Sequence, residues 1–120
     1  MTLNECYTAL GGNYRDVLGR LGSERMVQKF VLKFLDDGSF DLLCRSLETG
    51  TKDEAFRAAH TIKGMCQNLS FTKLTDSSTL ITEALRSDNL AGALALLGPV
   101  RDDYQRTVNA IRTFKAGLPS

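Results

Sequence analysis

A chain of 120 residues, 42% hydrophobic and 24% charged, is long enough for one core and too apolar for disorder. Fifteen basic residues against fourteen acidic ones leave a net charge of +1 and no basic block, which argues against a nucleic-acid surface or an anionic membrane as partner. No apolar run is long enough to span a bilayer, the opening MTLNECYTAL does not read as a signal peptide, and three scattered cysteines with a single histidine make a poor zinc set.

Helical periodicity runs through nearly the whole chain, and no useful stretch alternates at period two, so no strand is predicted. Leu3, Tyr7 and Leu10 share one face of a first short helix that Gly11-Gly12 ends. Tyr14, Val17, Leu18 and Leu21 form a second, closed by Gly22. Ser23 is placed as an N-cap, with Glu24 in the first turn, for a third helix whose stripe is Met26, Val27, Phe30, Val31, Phe34 and Leu35. Ser39 is a candidate cap for a helix carrying Phe40, Leu43, Cys44 and Leu47, stopped by Gly50. Residues 51–54 read T-x-x-E, a capping box ahead of a helix that runs to about Leu69. Ser70 is a candidate cap for the next helix, where Phe71, Leu74, Ser78, Ile81 and Leu85 recur. Asp88 is predicted to cap the last, in which Leu90, Leu94, Leu97, Tyr104, Val108 and Ile111 keep helical phase across Gly98-Pro99. Pro99 either kinks one helix there or separates two.

Four consecutive amphipathic helices between residues 39 and 116, with short connections, predict an all-α fold: an antiparallel four-helix bundle with additional N-terminal helices. Residues 1–120 are read as a single helical domain, the bundle core at 39–116 and the helices of 1–37 packed on it. Cys6, Cys44 and Cys66 are read as reduced thiols in a cytoplasmic protein.

The helix predicted after residue 51 carries the chemistry. At about 100° per residue, Ala55, Ala59, Ile62, Cys66 and Leu69 fall in one narrow arc, the core face. His60, the only histidine, lies about 140° from the centre of that arc. Gln67 is within about 20° of His60, Gly64 and Phe56 within about 40°, and Lys63 about 60° to one side. Glycine inside a helix costs about 1 kcal/mol relative to alanine, and close helix packing does not explain it on an outer face. A group approaching from outside does. Neutral imidazole is a nucleophile. A neighbouring ammonium offsets phosphoryl charge, and the missing side chain leaves room for a phosphoryl group and the partner that brings it.

The stretch AHTIKGMCQNL, residues 59–69, resembles the signature of histidine-containing phosphotransfer (HPt) domains, A-H-x-[LI]-K-G with a later Asn-Leu. Ala59, His60, Ile62, Lys63, Gly64, Asn68 and Leu69 all match, and the resemblance covers roughly residues 25–115. It implies a phosphorelay intermediate of two-component signalling. His60 would accept a phosphoryl group from the aspartate of a response-regulator receiver domain and donate it back. Lys63 would stabilise the phosphoryl charge and Gly64 would give clearance. No ATP-binding or hydrolytic site and no cofactor are implied for this chain, the magnesium and its acidic cluster belonging to the receiver. The partners implied are receiver domains and a hybrid histidine kinase, and a monomer is expected. Phe56 and Gln67 are read as binding residues beside the site. Some relatives carry a glutamine on the next helix that contacts the histidine; the corresponding offset here is Thr82, a candidate for the same contact. Ser70 stands where many relatives have glycine. The alternative is a helical adaptor that binds receiver or kinase domains without carrying phosphate. An independent enzyme is opposed by the lack of a Gly-rich phosphate loop, a second histidine or a metal set.

Overall fold

The computed structural model describes residues 1–119, and among them every regular element is a helix. In chain order these are α1 (Leu3–Leu10), α2 (Tyr14–Leu21), α3 (Glu24–Phe34), α4 (Ser39–Thr49), α5 (Lys52–Leu69), α6 (Thr72–Arg86) and α7 (Leu90–Ala116). No helix among the described residues is long and apolar enough to cross a membrane.

The stripes fall largely where periodicity places them, although Met26, predicted on the α3 stripe, sits at its solvent edge and is 37% exposed; the caps often fall elsewhere. Ser23 does cap α3, its hydroxyl accepting from the Met26 amide at 3.2 Å. The capping box forms at α1 instead of α5: Thr2 and Glu5 bond reciprocally at 2.8 and 3.0 Å. The Thr51 hydroxyl turns away to pair with that of Thr49 at 2.8 Å, leaving α5 without a side-chain cap. Ser39 is the first residue of α4 rather than its cap, and its amide donates to the Asp37 carboxylate at 2.8 Å. At α7 the cap is Asn89, which accepts from the Gly92 amide at 2.9 Å; Asp88 sits at φ 58 and pairs with Lys52.

Pro99 lies inside a single α7, so the two-helix alternative is not taken. That helix has 27 residues, about 40 Å at 1.5 Å each, which accounts for the 43 Å long axis of the molecule. Its buried line runs through Ala93, Val100, Thr107 and Phe114 at a spacing of seven. Leu94, predicted on the core stripe, lies about 100° past Ala93 and is 49% exposed.

Helices α4 to α7 pack each on the next, and the short turns between them make neighbours antiparallel, giving the four-helix bundle. α1 lies along α7, and α3 touches both α5 and α7. One continuous apolar core takes side chains from all seven helices. Aromatic rings join these elements near the α5–α6 turn. Phe71, fully buried in that turn, meets Tyr7 of α1 at 5.6 Å and Phe34 of α3 edge-on at 5.2 Å. Phe40 of α4 stacks on Tyr104 of α7 at 4.2 Å.

Candidate functional site

Helix α5 has two chemically distinct faces. Ala55, Ala58, Ala59, Ile62, Cys66 and Leu69 are buried, and His60 is exposed on the other side. Three alanines on the inner face let neighbouring helices come close, so the outward side chains stand on a firmly packed support. The ring of Phe56, one turn before His60, stacks on the imidazole with centroids 5.8 Å apart and planes inclined by 12°. The Arg86 guanidinium of α6 lies 5.1 Å from the centre of the Phe56 ring, completing a row of cation, aromatic ring and imidazole across two helices.

Lys63 is half-buried, and among the described residues it takes part in no ion pair. Gly64 is exposed, and a Cβ added there would meet no atom within 4 Å. Nothing inside the protein therefore requires glycine at this position. Gln67 is exposed one turn further on, beside a polar depression that Asp16, Arg20 and Ser70 also line.

Thr82 does not reach this face. It is fully buried, and its hydroxyl donates to the Ser78 carbonyl of its own helix at 2.6 Å. The expected contact with His60 is corrected: the residue has the right level along α6 but points inward. Arg86 is the site residue that sequence reading missed. An antiparallel pair folded at residues 70–71 sets residue 56 level with residues 85–86, and this pairing was the available signal.

The C-terminal end of α5 also differs from expectation. Ser70 does not cap α6. It closes α5 in the left-handed conformation at φ 57, with its amide turned back to the Cys66 and Gln67 carbonyls. A non-glycine residue there costs about 1 kcal/mol or more, which explains the glycine of the resembling motif. The Ser70 hydroxyl donates to Asp16 at 2.7 Å and accepts from Arg20 at 2.8 Å. The Ser70 hydroxyl, and after it the Arg20 guanidinium, hold the Asp16 carboxyl below the usual carboxylate range.

The model of the Hpt domain family matches residues 25–112, well over half of the chain. This chain belongs to the Hpt domain family. No curated protein and no solved structure matches it. Hpt domains are phosphotransfer carriers of two-component and phosphorelay signalling rather than conventional enzymes, and they work with receiver domains and kinases. The match begins in α3, so α1 and α2 lie outside the matched residues.

The cysteines stand apart from the His60 face. Burial pushes the Cys6 thiol up to about 11 and holds that of Cys66 well above its ordinary value, so both are poor nucleophiles. Among the described residues no group of three His, Cys, Asp or Glu side chains is placed to hold a metal ion.

Proposed function

We propose that this Hpt domain carries its phosphoryl group on His60, taking it from the phospho-aspartate of a receiver domain and returning it to such an aspartate. The observation that supports this reading is the one histidine standing exposed on a well-packed helix, with open space over Gly64 one turn away. The unprotonated outer ring nitrogen, Nε2, attacks phosphorus. The P–N bond forms as the acyl-phosphate P–O bond breaks, and the aspartate leaves as carboxylate while the other ring nitrogen keeps its proton. The reverse step uses the same atoms.

The remaining side chains follow from charge and shape. Phe56 holds one face of the imidazole, a contact of the kind worth about 0.5–1.5 kcal/mol, and so limits the ring orientations open to attack. Lys63 and Arg86 supply positive charge on the same outward side, against the added phosphoryl charge. Gly64 leaves the approach clear, and Gln67 lies at the rim of the contact. In this reading magnesium and its carboxylate ligands belong to the receiver.

The unit that does this is residues 1–120 as a single domain, acting as a cytoplasmic monomer. The apolar side chains that stay exposed, Met1, Met26, Leu42, Leu80 and Leu94, are spread along the chain rather than gathered on one helix.

The test is transfer from a panel of labelled, phosphorylated receivers. The expected result is an acid-labile phosphate on the wild-type protein and none on His60→Gln. Equal labelling of His60→Gln overturns the assignment. Receiver binding that survives His60→Ala, with no label on wild type, makes the chain an adaptor.

A further inference from the structure

The turn that follows α5 is tied down by the part of the chain that lies outside the family match. Arg20 of α2 reaches the last carbonyls of α5, donating to Gln67 O at 3.2 Å and Asn68 O at 3.0 Å, as well as to the Ser70 hydroxyl. Carbonyls in the last turn of a helix lack the regular intrahelical partner, and of these two only Gln67 O also accepts from the Ser70 amide, at 3.2 Å. Asp16 accepts from the other end of the guanidinium at 2.9 Å and from the Ser70 hydroxyl at 2.7 Å. The α1–α2 link adds main-chain bonds: Asn13 N donates to Ser70 O at 2.9 Å and Lys73 N to Gly11 O at 3.1 Å. The buried Tyr7 hydroxyl donates to Leu69 O at 2.8 Å. The backbones come so close that a Cβ on Gly12 would sit 2.7 Å from Ser70 O, so position 12 must be glycine.

This end of α5 needs holding. Gly64 puts the poorest helix former of α5 inside a continuous helix, and only residues 65–69 follow before Ser70. A segment that short does not sustain helix by itself, and its closing residue is a serine in a conformation that suits glycine. We propose that α1 and α2 form a clamp on the histidine helix. In it Arg20 is a positioning residue that lets serine close the helix and keeps the segment after Gly64 in register with His60. The clamp rests on contacts alone; the positioning role rests also on the phosphotransfer reading given above.

Two readouts separate the parts. The first is amide hydrogen exchange of residues 66–71 in Arg20→Ala, Ser70→Gly and the double variant. The second is single-turnover transfer from a phosphorylated receiver at increasing receiver concentration. Arg20 is at the surface, so Arg20→Ala is expected to fold, and Arg20→Lys, which keeps the charge without the fork, serves as the conservative control. Arg20→Ala should raise exchange at 66–71 by on the order of ten-fold. It should slow the transfer step several-fold while leaving the half-saturating receiver concentration unchanged. Ser70→Gly in the same chain should restore most of both, because glycine removes the strain that the clamp offsets. Unchanged exchange in Arg20→Ala overturns the clamp. Raised exchange with an unchanged transfer rate, or no restoration by Ser70→Gly, overturns the positioning role. A wild-type protein that takes no label sinks the phosphotransfer reading and the positioning role with it, while exchange still decides the clamp.

Discussion

Gly64→Ala separates what the fold wants from what the proposed site wants. Gly64 lies within α5, exposed, and the added methyl group meets nothing within 4 Å. The substitution therefore adds no clash and removes the propensity cost of glycine, a gain of about 0.8–1 kcal/mol. For a chain of 120 residues the entropy of unfolding is about 250 cal/mol/K, so Tm should rise by about 4 °C. Transfer should move the other way. The methyl group stands one turn from His60, on the side a partner must approach, and forcing a methyl into a packed contact costs about 1–3 kcal/mol. That is about five-fold to somewhat over a hundred-fold in the transfer rate. Thermal unfolding followed by far-ultraviolet circular dichroism gives the first number, and quenched transfer from a phosphorylated receiver gives the second. A higher Tm with unchanged transfer refutes the clearance role of Gly64. A lower Tm refutes the placement of this residue on an open helix face.

Lys63→Gln and Arg86→Gln should each slow transfer to His60 by about two- to ten-fold without shifting the urea midpoint, since half-buried Lys63 makes no ion pair among the described residues and Arg86 only an exposed one with Glu83; a shifted midpoint with normal transfer refutes the charge role. Asp16, held below the usual carboxylate range by Ser70 and then Arg20, is expected to make stability acid-sensitive. A depressed native pKa contributes stability above the ordinary carboxylate value of about 4, and that stability is lost as pH falls through the native value. The urea midpoint should fall more on acidification in wild type than in Asp16→Asn, and equal falls reject the linkage. With Cys6 and Cys66 buried and Cys44 half-buried, a disulfide reagent should modify at most one thiol quickly in the native protein and all three in urea; rapid reaction of two native thiols contradicts the packing.

The bundle was legible because burial on a helix repeats at 3.6 residues and short turns leave few topologies. Ile62, Cys66 and Leu69 face inward and His60 outward as spacing alone requires. Caps were less legible, since a Ser, Thr or Asp near a helix start has several competing backbone partners within reach. Thr51 found Thr49, and Asn89 displaced Asp88 by one residue. Ser70 was misread because its role depends on a positive φ and on Asp16 and Arg20, more than forty residues away. Arg86 and Thr82 show the same limit at the site. Periodicity orders residues around one helix, whereas which side of α6 meets Phe56 is decided by packing between helices.

The helix that carries His60 is held in two separate ways along its length. Around His60 itself, Ala55, Ala58 and Ala59 are all at most 2% exposed, and such small side chains bring the helix axis close to its neighbours. A larger residue at any of them would have to push α5 outward as a body, because a packed interior resists overfilling. Beyond Gly64 the fully buried anchors are Cys66 and Leu69, with half-buried Met65 packed beside them, and the alanine seam has ended. There the fastening passes to polar contacts from Tyr7 and Arg20. A helix that carries a glycine one turn after His60 keeps little intrinsic stability past that point. An extra pair of helices at that end is one physical way to restore it.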